Sequence, residues 1–162
     1  DVLGSRGLGD VYKRQIMNYN GGRLREEEVR SILEVRIALD TLAATLCAER
    51  ITDEEIASLG EIVERLGAAQ TIDQAVRAAY DFQHEFALLS GNTLIPLIFC
   101  SFKVAVTSLW ERFCILYGIP ALYENTYKLW TFLKNRDLNG AVSWIDKSVR
   151  ESIDGNRKIY YE

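Results

Sequence analysis

Four polar residues stand where the helical period of the sequence predicts apolar ones, and they are Arg36, Gln83, Thr126 and Ser148. A guanidinium among apolar neighbours needs an anionic partner or a solvated pocket, because an unpaired buried charge costs several kcal/mol. Asp40, one helical turn after Arg36, is the local candidate for that partner. If the four residues converge on one cavity, Arg36 offers a rigid fork for a carboxylate or a phosphate. Alternatively, each residue is satisfied singly by backbone carbonyls or by another member of the set.

The sequence gives little support for catalysis or for a resident cofactor. The single histidine, His84, faces away from the apolar stripe of its helix, so a nucleophile paired with a histidine base is not indicated. Asp81 could form half of a metal site with His84, but two further ligands cannot be named. No glycine-rich phosphate loop follows a strand, since no strand is predicted. We therefore expect no enzymatic activity, no bound metal and no cofactor.

Composition narrows the class of protein further. A chain of 162 residues predicts one domain, and a net charge of −4 argues against a nucleic-acid surface. Cys47, Cys100 and Cys114 are widely spaced in apolar helical contexts, which predicts reduced, buried thiols in a cytoplasmic protein. The stretch 93–110 carries one charge, Lys103, but its amphipathic neighbours favour a buried helix over a membrane span.

The N-terminal segment does not fit the rest of the chain. Residues 1–15 show no apolar period, and the run SRGLGDVYKRQ resembles a translated sequencing-adapter artefact. We assign residues 1–22 to a non-native or linker segment, 23–154 to one helical domain and 155–162 to a tail without fixed structure. The natural protein is then expected to be longer at its N-terminus.

Within the domain, apolar periodicity and capping residues predict an all-α fold, an antiparallel bundle of six to seven helices. Thr52 with Glu55 has the spacing of a capping box, while Asn92 and Asp137 are positioned to cap the helices that follow them. The helix that ends before Ser90 is expected to lie at the centre of the bundle. The predicted helices cover residues 24–50, 53–67, 72–89, 93–117, 121–135 and 138–153.

Three motifs, in order and at suitable spacing, resemble one known family. EVRIALDTLAATLCAER (34–50) is similar to the opening of the effector domain of FadR-like GntR transcription regulators, the FCD or FadR C-terminal domain. FALLSGNTLIPLI (86–98) resembles the junction between two helices in that family, and LKNRDLNGAVSWIDKSV (133–149) resembles its last helical pair. The resemblance implies a helical bundle that senses a ligand and forms a homodimer.

The same resemblance bears on metal binding. Most family members with this pattern hold a divalent metal through one aspartate and three histidines. The corresponding positions here fall on Ala79 and Gln83, and near Thr126 and Ser148, none of which is a usual ligand. The resemblance therefore implies no metal, as in the FadR proteins, which bind acyl-coenzyme A without one.

Taken together, the residues and the resemblance predict a cytoplasmic effector-binding and dimerisation domain. A small anionic effector, an organic acid or an acyl-coenzyme A, would contact Arg36, with Gln83, Thr126 and Ser148 lining the cavity. Its binding would modulate DNA binding by a winged helix-turn-helix domain that this chain does not contain. The alternatives are a helical protein-protein interaction module with a solid core and, less favoured, a helical metalloenzyme that uses Asp81 and His84.

Overall fold

A computed structural model describes residues 24–160, so the segment 1–22, interpreted above as non-native or linker, lies outside the described residues. Within 24–160 the chain forms helices and connecting loops, and no strand occurs there. This agrees with the predicted all-α bundle. The seven helices are α1 (Glu26–Arg50), α2 (Asp53–Gly67), α3 (Ile72–Leu89), α4 (Leu94–Ser101), α5 (Lys103–Tyr117), α6 (Ile119–Lys134) and α7 (Leu138–Ile153).

Local capping interactions begin several of these helices where the sequence predicted them. The Thr52 hydroxyl accepts a hydrogen bond from the Glu55 N–H at 3.2 Å, and the Glu55 carboxylate accepts one from the Thr52 N–H at 2.9 Å. The side chains of Asn92 and Asp137 likewise accept from backbone N–H groups in the first turns of α4 and α7. These contacts satisfy N–H groups that have no partner inside the helix.

Helix α3 lies at the centre of the bundle, as predicted, and packs against α1, α2, α4, α5 and α6. Its apolar stripe is buried at Ala75, Ala79, Phe82 and Phe86. The one polar member of that stripe, Gln83, is also buried. A polar side chain that is held in the central layer needs a partner there, because burial without a hydrogen bond is costly.

Helices α1 and α3 run in the same direction, with α2 returning between them. The Gln83 side chain bonds Asp40, and Arg50 near the end of α1 donates to the carbonyl of Ser90, just past the end of α3, at 3.3 Å. Later residues of α1 thus contact later residues of α3, which shows that the two helices are parallel neighbours. Near the start of α1, the Arg30 guanidinium donates two hydrogen bonds to the carboxylate of Asp154, just past the end of α7.

The single long helix predicted for residues 93–117 is two helices. Helices α4 and α5 meet at Phe102 and are bent by 66°. The bend brings the ring of Phe99 on α4 to 6.3 Å from the ring of Trp110 on α5, whereas the same eleven residues of a straight helix would span about 16 Å. In residues 24–160 no single helix is long and apolar enough to span a membrane, and only this bent pair meets the length and hydropathy criteria together.

Two further predictions need correction. Residues 155–160 were assigned no fixed structure, yet Ile159 is buried in the core and the Tyr117 hydroxyl donates to the Lys158 carbonyl at 2.6 Å. An apolar residue that follows the last helix can still pack into the core. The helical period does not predict this packing, because the residue lies outside any helix. Cys100, predicted to be buried, is exposed, because it lies on the outward face of α4; Cys47 and Cys114 are buried free thiols as predicted.

Candidate functional site

A cavity of about 60 Å³ lies between five helices, α1, α3, α5, α6 and α7. Most of its wall is apolar. The polar residues of the wall include all four that the sequence singled out, so the structure brings these residues to one place. The polar and charged lining residues are Arg36, Asp40, Gln83, Asn125, Thr126, Ser148 and Ser152.

Arg36 reaches the cavity from α1 with its side chain 23% exposed. Its Nε–H donates to Asp40 Oδ2 at 3.3 Å, and its guanidinium lies 5.2 Å from the centre of the Trp110 ring, over its face. The aromatic face attracts the cation and leaves the planar fork available for an anion. In the described part of the chain, Nε is the only atom of Arg36 that donates a hydrogen bond.

Asp40 is the more deeply buried member of this pair, at 4% exposure. The sequence named it only as a partner for Arg36, whereas the structure makes it part of the cavity wall. The buried stripe of α1 passes through Val29, Leu33, Asp40 and Cys47, so the residue in the core position is the aspartate and Arg36 lies beside it. The signal was present, since Asp40 lies seven residues from each of Leu33 and Cys47, about two helical turns.

Burial dominates the electrostatics of Asp40. Removal from water raises the pKa of its carboxyl to about 6, although the nearby Arg36 charge and the hydrogen bonds from Arg36 and Gln83 act in the opposite direction. The Gln83 amide donates to Oδ1 while Arg36 donates to Oδ2. Each carboxylate oxygen therefore has one donor, and the three side chains form one hydrogen-bonded cluster on the cavity wall.

Thr126 and Ser148 complete the predicted set from α6 and α7. The Thr126 hydroxyl donates to the Leu122 carbonyl at 3.1 Å, and the Ser148 hydroxyl lies 3.4 Å from the Ile145 carbonyl. Both alternatives that the sequence left open therefore hold in part, because these hydroxyls converge on the cavity and are also satisfied locally. Their oxygens can still accept a hydrogen bond from a ligand, since a hydroxyl oxygen has two acceptor positions.

Two lining residues were not found from the sequence, Asn125 and Ser152. The carbonyl of Asn125 accepts from the Trp144 indole N–H at 3.0 Å, which fixes α7 against α6 beside the cavity. Asn125 is adjacent to Thr126 and therefore lies off the single stripe that the period defines. Ser152 lies one turn beyond Ser148 on the same helix, so the helical period places it on the same face.

The two residues considered for a metal site, Asp81 and His84, contact different partners. Asp81 bonds Arg65 at 2.8 Å, while the His84 ring stacks on Tyr80 with the centroids 6.0 Å apart, so the two are engaged separately. In residues 24–160 no group of three or more His, Cys, Asp or Glu side chains could hold a metal ion.

The ligand positions implied by the family resemblance offer a methyl group, an amide and two hydroxyls, at Ala79, Gln83, Thr126 and Ser148. The nearby carboxylate, Asp40, is paired with a cation that would repel a metal ion. These residues do not fit a divalent metal.

Comparison with known proteins identifies the family. The family model for the FCD domain matches residues 31–150, which is more than half of the chain and contains most of the cavity wall. No curated protein matches the chain. The matched region contains all three motifs on which the resemblance was based. The chain therefore belongs to the FCD family, the effector-binding C-terminal domain of GntR-type transcription regulators.

Proposed function

We propose that the cavity binds a small organic acid and that Arg36 contacts its carboxylate. The observation that carries this proposal is the convergence of Arg36, Gln83, Thr126 and Ser148, from four separate helices, on one cavity. Among residues 24–160, Arg36 and Asp40 are the only charged residues of the wall, and of these only the guanidinium can donate to an anion. The amide and hydroxyl groups would fix the orientation of the rest of the ligand.

The size of the cavity favours one of the two ligand classes considered. Pockets for drug-sized ligands are roughly 300–1,000 Å³, whereas this cavity measures about 60 Å³. A carboxylic acid with a few heavy atoms is of suitable size. An acyl-coenzyme A would require the five helices to separate, so we favour a small organic acid.

Ligand binding at this place would act on the arrangement of the helices. The cavity joins α1, which is nearest to the N-terminus, to α7 and to the core helix α3. A ligand that binds one relative arrangement of these helices more tightly would shift the population toward it. In an intact regulator, that shift would change the spacing of two DNA-binding domains, and the coupling would be reciprocal.

The test measures binding of small carboxylates, such as acetate, glycolate and malonate, by thermal shift and by tryptophan fluorescence. At about 100 times the dissociation constant, a ligand adds about 2.7 kcal/mol to the free energy of unfolding, or roughly 10 °C in melting temperature. Trp110 and Trp144 line the cavity, so their fluorescence should change as well. A protein that responds to none of these acids would contradict the proposal.

Arg36→Ala should weaken binding of a responding acid by about 10- to 100-fold, because it removes a charged hydrogen bond worth about 1.5–3 kcal/mol. The matched control is Arg77→Ala, since Arg77 is also a helical arginine paired with an aspartate one turn away but lies on the surface. That control should bind like the wild type. Equal affinity in Arg36→Ala and the wild type would remove Arg36 from the site.

We also propose that the domain forms a homodimer through the outer surface of α4 and α5. Leu94, Leu97 and Val104 are 60–65% exposed there, although large apolar side chains are usually buried. The competing interpretation, a module that docks an unrelated protein, would use the same surface. Light scattering of the wild type at several concentrations separates the two, because only the dimer proposal predicts a mass of two chains.

The matched variants for that measurement are Leu97→Asp and Val35→Asp. Leu97 is part of the proposed contact, whereas Val35 is a similarly exposed apolar residue on α1. Leu97→Asp should produce monomers and Val35→Asp should not. A wild-type protein that is monomeric at all concentrations would contradict the dimer and favour the module.

A further inference from the structure

The two charged residues of the cavity neutralise each other before any ligand arrives. Arg36 Nε and Asp40 Oδ2 are 3.3 Å apart, and in the part of the chain that the structure describes no other charged side chain lines the wall. The residues that face the pair from the other four helices do not titrate in the physiological range. They are Gln83 from α3, Trp110 from α5, Thr126 from α6 and Ser148 from α7.

A bound monoanion would therefore leave one net negative charge in a largely apolar cavity. An uncompensated buried charge costs several kcal/mol, and the buried aspartate is the group that repels the anion. Three ligands would avoid this cost: a neutral molecule, a zwitterion whose cation pairs with Asp40, or an anion accompanied by a proton. For an anionic acid bound to Arg36 only the third applies, because a neutral molecule carries no carboxylate and a zwitterion brings its own cation.

The hydrogen-bond geometry allows Asp40 to take that proton. Asp40 is held by one donor on each oxygen, from Arg36 and from Gln83. If Oδ2 is protonated, its O–H can donate to the incoming carboxylate, and the Arg36 fork is released from the ion pair to bind the same group. Oδ1 keeps its bond from the Gln83 amide. The proton comes from water or from the buffer acid, one for each anion bound, and the donor's bond to it breaks as the Asp40 O–H forms.

We propose that an anionic effector binds this cavity together with one proton, which Asp40 accepts, so that the affinity for the effector strengthens as the pH falls. This inference rests on the proposed function, because it concerns the same cavity. It makes Asp40 a determinant of specificity, as the site then discriminates against ligands that cannot share a proton with a carboxyl group.

The direction of the pH dependence follows from the state of Asp40. Burial raises the pKa of its carboxyl to about 6 in the free protein, and a second negative charge beside it would raise that pKa further. Below pH 6 the proton is already bound, so the affinity should change little with pH. Between pH 6 and the higher pKa of the complex, each unit of pH should weaken binding by about tenfold, because one proton is taken up per ligand.

The experiment follows the Asp40 carboxyl carbon by ¹³C NMR as a function of pH, without and with acetate or glycolate near saturation. We expect the midpoint of its titration to move upward by more than one unit when either acid is bound. Calorimetric titration of the same acids at a pH between the two midpoints, in buffers of different ionisation enthalpy, should count more than half a proton taken up per ligand. These measurements use the wild-type protein and need no variant.

Asp40→Asn keeps the shape of the side chain and removes its titration. It should bind acetate with equal affinity at pH 6.5 and pH 8, and at pH 8 more tightly than the wild type by about tenfold or more. Asp73→Asn, which alters an exposed aspartate of α3, should keep the wild-type pH dependence.

The outcomes separate this inference from the proposed function. Binding of acetate or glycolate without proton uptake, and with an unmoved Asp40 titration, would overturn the inference and leave the proposed function intact. Preferential binding of glycine without proton uptake would overturn it in favour of a zwitterion whose ammonium pairs with Asp40. Failure of every carboxylate to bind at any pH would overturn both.

Discussion

The same two helices build a solid region and a hollow region of the protein. The second half of α1 packs against the second half of α3 with Ala43, Cys47 and Phe86 almost completely buried. The first half of α1 faces the cavity. The solid region gives way to the cavity where the Gln83 side chain bonds Asp40. Further along both helices, the corresponding positions are filled by apolar side chains. The comparison indicates that a hydrogen-bonded polar pair marks the end of the close-packed core and the start of the cavity.

Truncation of a large aromatic side chain in each region gives the largest expected effect. Phe86→Ala in the solid region should lower the free energy of unfolding by about 4–5 kcal/mol, and Phe113→Ala beside the cavity by about 3 kcal/mol. Phe86 is fully buried and does not line the cavity, whereas Phe113 does. A side chain beside a cavity has fewer neighbouring atoms to lose. Urea unfolding measures both, and equal losses would contradict the distinction between the two regions.

Asp40, at the boundary between the two regions, should make the stability of the protein depend on pH even without a ligand. Since the folded protein raises the pKa of Asp40 from 3.8 to about 6, the folded state binds more protons than the unfolded state between these values. The wild type should therefore lose stability relative to Asp40→Asn as the pH rises from 4 to 7. A shift of two units corresponds to about 3 kcal/mol. Urea unfolding of both proteins at several pH values measures this, and a constant difference would place Asp40 in a more solvated environment.

The smallest effect is expected on the hollow side, at a hydroxyl that already has a partner. Thr126→Val removes the hydrogen bond to the Leu122 carbonyl and keeps the branched shape. It should lower the free energy of unfolding by about 0.5–1 kcal/mol, as for an ordinary hydrogen bond. Binding of a responding carboxylate should weaken by less than about tenfold. A loss as large as that of Arg36→Ala, measured by fluorescence titration, would assign Thr126 a direct contact with the ligand's charge.

The inward direction of the polar residues could be predicted because it depends on period alone. Arg36 lies beside the buried stripe of α1 and not on it, but Arg36, Gln83, Thr126 and Ser148 all line the cavity. The burial of Asp40 was not predicted, for a physical reason. The sequence places Arg36 and Asp40 one turn apart on neighbouring faces, but it does not fix the rotation of α1 about its axis. That rotation, set by packing against α3 and α7, buries the aspartate and leaves the arginine at the side.

The sequence by itself determined the helical class, several helix starts and the family, because capping bonds and apolar periods involve residues within a few positions of each other. Only the tertiary structure decided that α4 and α5 bend at Phe102, that Ile159 returns to the core and that five helices leave a cavity between them. These features depend on how distant helices pack against α3. Their energies come from contacts between residues far apart in the chain, which no local pattern records.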